Sequence, residues 1–206
     1  MNDSIDSREA LRALYGEPSE LVQQKRLDRL DRHCRAFIAH SPFVVIASAD
    51  AAGRADASPR GGDPGFVSVA DDRTVVIPDW PGNRLIDTLE NIVASPRLGL
   101  LFLVPGVNET LRLNGGATIS TDAALLESLA VGGKRPRSAL VVEVEEAFLH
   151  CSKSLLRAAL WHPESQIPRD RFPSLGQMLA DQIAEIGAAD AEDLVQASIA
   201  KGLYRG

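Results

Sequence analysis

Three residues carry the strongest chemical suggestion in this 206-residue chain: Arg60 and the adjacent pair Asn83 and Arg84. The pair stands where a helix is expected to begin, and the unpaired backbone N–H groups and macrodipole of a helix start favour an anion. A guanidinium adds a fork of donors matched to phosphate oxygens. The plainer alternative is an ordinary helix cap, Asn83, followed by a solvated arginine. Arg60 shifts the balance toward phosphate. It lies in "ASPRGGDPGFV" (57–67), whose two prolines and three glycines make a poor strand, because proline cannot donate to a ladder and glycine adds backbone entropy without packing. Such a strand leaves its backbone open to close approach by something other than protein.

A second cluster is "HCSKSLLRAALW" (150–161). On a helix, Lys153, Arg157 and Trp161 recur every four residues and share a face, where a planar ring could meet two cations and an indole. The alternative is a solvated basic stripe with Trp161 in the core; Leu155, Leu156 and Leu160 face the core in either case. Lys134, Arg135 and Arg137 form a local basic cluster, read as a solvated loop unless an acidic ligand tail needs it. Cys34 and Cys151 are too few for a disulfide framework and lack metal-ligand spacing, so both are read as buried small hydrophobes and no metal is expected. The histidines form no triad with a nucleophile, and there is no P-loop, nucleophile elbow or dinucleotide fingerprint.

The elements that must position these residues follow from periodicity. The chain is 45% hydrophobic and 24% charged, a globular profile, and its net charge of −6 gives no field to attract nucleic acid or an anionic membrane. No apolar run reaches membrane-spanning length, and "MNDSIDSREA" is unlike a secretory signal, so a cytoplasmic location is expected. Leu27, Leu30, Cys34, Phe37 and Ile38 share one face of a helix expected over 19–40. "FVVIASAD" and the weak stretch form one hairpin about Gly53, and "GFVSVADDRTVVIPDW" forms a second about Asp71 and Asp72, giving three strands before residue 80. A helix after Asn83 carries a stripe of Leu85, Ile86, Leu89, Ile92 and Val93 and stops at Pro96. "RLGLLFLVP" reads as a strand covered on both faces. "ETLRLNGGATIS" and "SALVVEVEEAFLH" read as strands five and six, separated by a helix over 121–131, and helices follow. Tight turns and few crossover helices argue for a mainly β, α+β architecture: an antiparallel six-stranded barrel with peripheral helices.

The run "SPRGGDPGFVSVADDRTVVIPDWPGNRLIDTLENIVASPRLGLLFLV", followed by "ETLRLNGGATI", resembles the FMN-binding split barrels related to pyridoxamine 5′-phosphate oxidase, over about residues 20–162. It is most similar to the FMN-dependent branch without an assigned substrate. The resemblance implies that Arg60 and the pair Asn83 and Arg84 hold the FMN phosphate, that Ser58, Pro59, Arg60 and Gly61 lie against the isoalloxazine ring, and that Thr110 reaches the flavin from a second subunit. Lys153, Arg157 and Trp161 are candidates to complete the pocket. The implied assembly is a homodimer with FMN between subunits, its interface supplied by the barrel edge and 98–104.

The sequence departs from the oxidase in two places. Leu85 follows Arg84 where the oxidase carries a second basic side chain, and the arginine and tryptophan arrangement that receives pyridoxamine phosphate is absent. That substrate is therefore not expected. The implied function is an FMN-dependent oxidoreductase acting on an unidentified small organic molecule; the alternatives are a non-catalytic flavin- or haem-binding protein and a deazaflavin-dependent reductase. Three regions are expected: an N-terminal segment (1–18), the split-barrel domain (19–162) and a C-terminal helical extension packed on it (163–206).

Overall fold

The computed structural model describes residues 4–203. Helices α1 (Arg8–Tyr15), α2 (Glu20–Gln24) and α3 (Arg32–His40) precede strands β1 (Phe43–Ala49), β2 (Ala55–Gly61), β3 (Ser68–Val69) and β4 (Thr74–Asp79). Helix α4 (Asp87–Ala94), strands β5 (Arg97–Leu103) and β6 (Thr110–Ser120), helix α5 (Ala123–Ser128) and strand β7 (Ser138–His150) follow. Helices α6 (Lys153–Ala158), α7 (Leu175–Gln182) and α8 (Ala188–Gly202) complete the order.

The strands form one antiparallel sheet in the order β2-β1-β5-β6-β7-β4-β3. It is rolled. Val44, Ile77, Phe102, Leu113 and Val142, from five different strands, are all buried in one cluster, and Arg60 on β2 comes within 3.9 Å of Asp79 on β4 although those strands are far apart in the ladder.

Seven strands are present where the sequence suggests six, because the weak stretch does not hold as one strand. It breaks after Gly61 at a turn in which the Phe66 amide donates to Asp63 O and Gly65 adopts φ 81°. The remainder is the two-residue β3, which pairs only with β4. A close packing point fixes the longest ladder: Gly115 lies at a bulge where Asn114 pairs Glu146 and Gly115 pairs Val144, leaving Glu145 as the extra residue. A Cβ at Gly115 would stand 1.9 Å from Glu143 O, so only glycine fits.

Other expectations are corrected. The long helix over 19–40 is two helices, separated by Leu27, whose amide and carbonyl both bond to Ala147 in a bridge to β7. Asp31 caps α3 by accepting from the His33 and Cys34 amides. Strand β5 alternates instead of being covered on both faces: Leu98, Leu100 and Phe102 point into the core while Leu101 is exposed. Only the outward set of that strand can serve an interface. Cys34 is buried but Cys151 is exposed.

Candidate functional site

The rolled sheet leaves a split between the ends of β2 and β4, and a cleft of about 530 Å³ opens there. Ser58 and Arg60 lie opposite Ile46 and Val44, two core residues, so their side chains leave the strand on its inner side. The Arg60 guanidinium donates through Nη1 to Ser58 Oγ at 2.6 Å and to Pro59 O at 2.9 Å, and its Nε lies 3.9 Å from Asp79 Oδ1. Pro59 also lines the cleft. The strand tolerates proline and glycine because it is an edge: among the described strands β2 pairs with β1 alone, and its inner-facing side chains meet this cleft.

The opposite wall is the segment from Trp80 to Leu89. Asn83 is not the helix cap. Its Oδ1 accepts from the Leu85 amide at 3.0 Å, an Asx turn inside the loop. The helix starts only at Asp87, after Arg84 at φ 66° and Ile86 at φ 53°, both left-handed. Left-handed backbone at non-glycine residues costs on the order of 1–3 kcal/mol each, more readily tolerated in asparagine than in a β-branched isoleucine. This delay changes the expected stripe: Ile92 is buried, whereas Leu85, Ile86 and Val93 are exposed. It also leaves the start of α4 without a side-chain cap, with Ile86, Asp87, Thr88 and Leu89 all lining the cleft. An uncapped helix start beside arginines favours an anion.

Two residues that the sequence reading did not place here complete the walls. Arg137, expected in a solvated loop, lines the cleft because its amide donates to Asp79 O at 3.0 Å and so fixes the start of β7 beside the end of β4. It is a third cation on the cleft beside Arg60 and Arg84. Asp79 is the second. Burial pushes its carboxyl above the usual carboxylate value, against the opposing pull of Arg60 and Arg137.

The structure thus brings Ser58, Pro59, Arg60, Asn83 and Arg84 around one cleft. Gly61, Thr110, Lys153, Arg157 and Trp161 do not line it. Gly61 closes β2 against the Pro42 carbonyl, 3.5 Å from where a Cβ would be. Thr110 is buried at the start of β6, opposite His150. Helix α6 ends at Ala158, with Ala159 left-handed at φ 48°, so Trp161 does not continue the face of Lys153 and Arg157. Its indole N–H donates to Val107 O at 2.8 Å. Leu155 is buried, as expected, but Leu156 and Leu160 are exposed. No group of three or more metal-ligating side chains occurs among the described residues, and no helix among them is long and apolar enough to cross a membrane.

The family model for pyridoxamine 5′-phosphate oxidase matches residues 30–151. The chain belongs to that family. The matched span runs from Leu30, one residue before the Asp31 cap of α3, to Cys151, one residue past β7, and contains every residue lining the cleft; α7 and α8 lie beyond it. No curated protein matches the chain. Among solved structures, HupZ of Group A Streptococcus is 19% identical, covering 58% of this chain and 93% of its own, with a TM-score of 0.49. General Stress Protein 26 of Bacillus anthracis is 12% identical, covering 56% and 88%, at 0.43. HutZ, the heme storage protein of Vibrio cholerae, is 13% identical, covering 59% and 95%, at 0.41.

Proposed function

We propose that the cleft holds the phosphate of FMN and that the protein is an FMN-dependent oxidoreductase acting on a small, planar organic molecule. The observation that carries this reading is the convergence of Arg60, Arg84, Arg137 and an uncapped helix start on one cleft, in a chain of the pyridoxamine 5′-phosphate oxidase family. Charge-assisted hydrogen bonds from guanidinium groups to phosphate are about twice as strong as neutral ones and geometrically selective. Arg60 is already oriented by Ser58 Oγ and Pro59 O, which spares part of the ordering cost on binding. Asn83 holds the Arg84 loop in its turn.

When bound, FMN supplies hydride transfer between an electron donor and the substrate. The chain's own part is to fix the phosphate, to lay the 58–61 backbone along the ring, and to keep water from the reacting face. Within one chain, Thr110, Lys153, Arg157 and Trp161 lie off this cleft; in the proposed homodimer they belong to the cleft of the second copy. The outward row Pro59, Val45, Leu101, Arg112 and Phe148, in register across β2, β1, β5, β6 and β7, supports that assembly. Leu101 and the neighbouring Phe43 are exposed apolar side chains on it.

The test is the absorption spectrum of the purified protein, repeated on the supernatant after heat release, with light scattering at micromolar concentration. Flavin bands, FMN in the supernatant and a dimer are expected. A colourless protein that takes up no added FMN removes the cofactor, and a haem or deazaflavin spectrum replaces it with one of the other ligands. A monomer removes the shared site.

A further inference from the structure

A second cleft of about 330 Å³ adjoins the first. Five of its lining residues, Pro81, Gly82, Asn83, Arg84 and Arg137, also line the first, so the two share one wall. The other side is formed by Ser198 and Gly202 of α8, which lies outside the family match.

Helix α8 reaches this position as part of a hairpin with α7. Gly176 on α7 sits so close to α8 that a Cβ there would be 2.6 Å from Glu192 Cα, which locks the two helices to each other. Among the described side chains of α8, Ala191 and Val195 are buried, and Ser198 and Gly202 continue their helical row at spacings of three and four. The first half of the row packs; the second half faces the cleft. The connection from the barrel, from Cys151 to Ser174, has only short helical pieces and is mostly exposed. The hairpin is therefore a unit joined to the barrel by a long tether, with its last turns beside two arginines.

We infer that the ligand phosphate sits where the two clefts meet, at Arg84 and Arg137, and that α8 is the outer wall there, with Ser198 donating its hydroxyl hydrogen to the phosphate while the two arginines hold it from the barrel side. The inference rests on the phosphate reading above and assigns a part of the site to a segment outside the family match. The anion bridges hairpin and barrel, so its binding orders the last two turns of α8.

The test uses the full-length protein and titrates FMN and riboflavin, which lacks the phosphate, by flavin fluorescence. Three chains are compared: wild type, Ser198→Glu, and Ala189→Glu, which places the same charge at the far end of α8. Ser198 and Ala189 are both exposed, so each variant keeps the fold. Ser198→Glu is expected to weaken FMN about tenfold with riboflavin unchanged, and Ala189→Glu to match wild type. In wild type, FMN should slow hydrogen exchange over 195–202. If wild type binds FMN and Ser198→Glu binds it equally, or loses FMN and riboflavin alike, the wall is overturned and the cofactor reading stands. If wild type binds neither flavin, the cofactor reading fails and takes this inference with it.

Discussion

The β6–β7 ladder and the cleft between β2 and α4 are built on opposite terms. The ladder pairs an 11-residue strand with a 13-residue one, buries Leu111, Leu113, Val142 and Val144, and tolerates one irregularity, the bulge at Gly115. The cleft wall has an edge strand with proline and glycine, two left-handed non-glycine residues and a half-buried carboxylate beside arginines. One region stores stability and the other spends it. Substitutions should therefore separate them: changes in the ladder should move the melting temperature, and changes in the cleft should move ligand affinity with small or opposite effects on melting.

The largest effect is expected from Gly115→Ala. The new methyl would meet the Glu143 carbonyl at 1.9 Å, and both belong to paired strands that cannot shift cheaply. Overpacking of this kind costs about 3 kcal/mol, which lowers the melting temperature of a domain this size by roughly 6–12 °C. A melt within a degree or two of wild type would mean that the bulge relocates and that the ladder is less fixed than its register suggests.

Next comes Arg84→Gly, which makes the comparison sharper because its two readouts should move in opposite directions. Glycine adopts the φ of 66° without strain, so the apoprotein should gain up to about 1 kcal/mol of stability. The same change removes a charge-assisted contact, and FMN affinity should fall by about 1.5–3 kcal/mol, measured by calorimetry. Lower stability together with unchanged affinity would place the phosphate elsewhere.

How much of this was legible in the sequence follows the same division. The ladder strands and the fold class were readable because alternation reports burial directly, as at Leu140, Val142 and Val144. The break at Gly62 to Val67 and the split of α2 from α3 were not. An apolar stripe through Leu27 fits a helix equally well until Ala147 claims its backbone. Arg60, Asn83 and Arg84 were legible as a group through residue chemistry and family resemblance. Their geometry was not, because Asn83 looks like a cap wherever a helix follows, and only the backbone shows the helix starting at Asp87. Arg137 and Asp79 were missed for a physical reason. Their chemistry arises from a contact between the end of β4 and the start of β7, and no local pattern encodes a meeting of residues so far apart in the chain.

The smallest effect, and the one that most directly tests the cost of the cleft, is Asp79→Asn. Burial raises the Asp79 carboxyl above its usual 3.8 despite the opposing arginines. The folded state therefore holds this proton to a higher pH than the unfolded chain does. Stability from this group is greatest at acid pH, declines as pH rises through the interval between the unfolded and folded values, and stays low above it. Asparagine removes the decline, so the variant should be the more stable protein near pH 7 and lose that advantage below the ordinary carboxylate range. A phosphate beside Arg60 meets one negative charge fewer in the variant, and FMN should bind a few-fold tighter, about 0.5–1 kcal/mol, the scale of a partly exposed ion pair. The same repulsion couples the two ligands of Arg60: in wild type, FMN binding should draw a proton onto Asp79, and affinity should weaken as pH rises through its titration. Urea unfolding and FMN titration of both proteins across pH 4–8 decide this. A variant that is less stable at pH 7 and binds FMN no better would show that Asp79 supports Arg60 more than it opposes the anion.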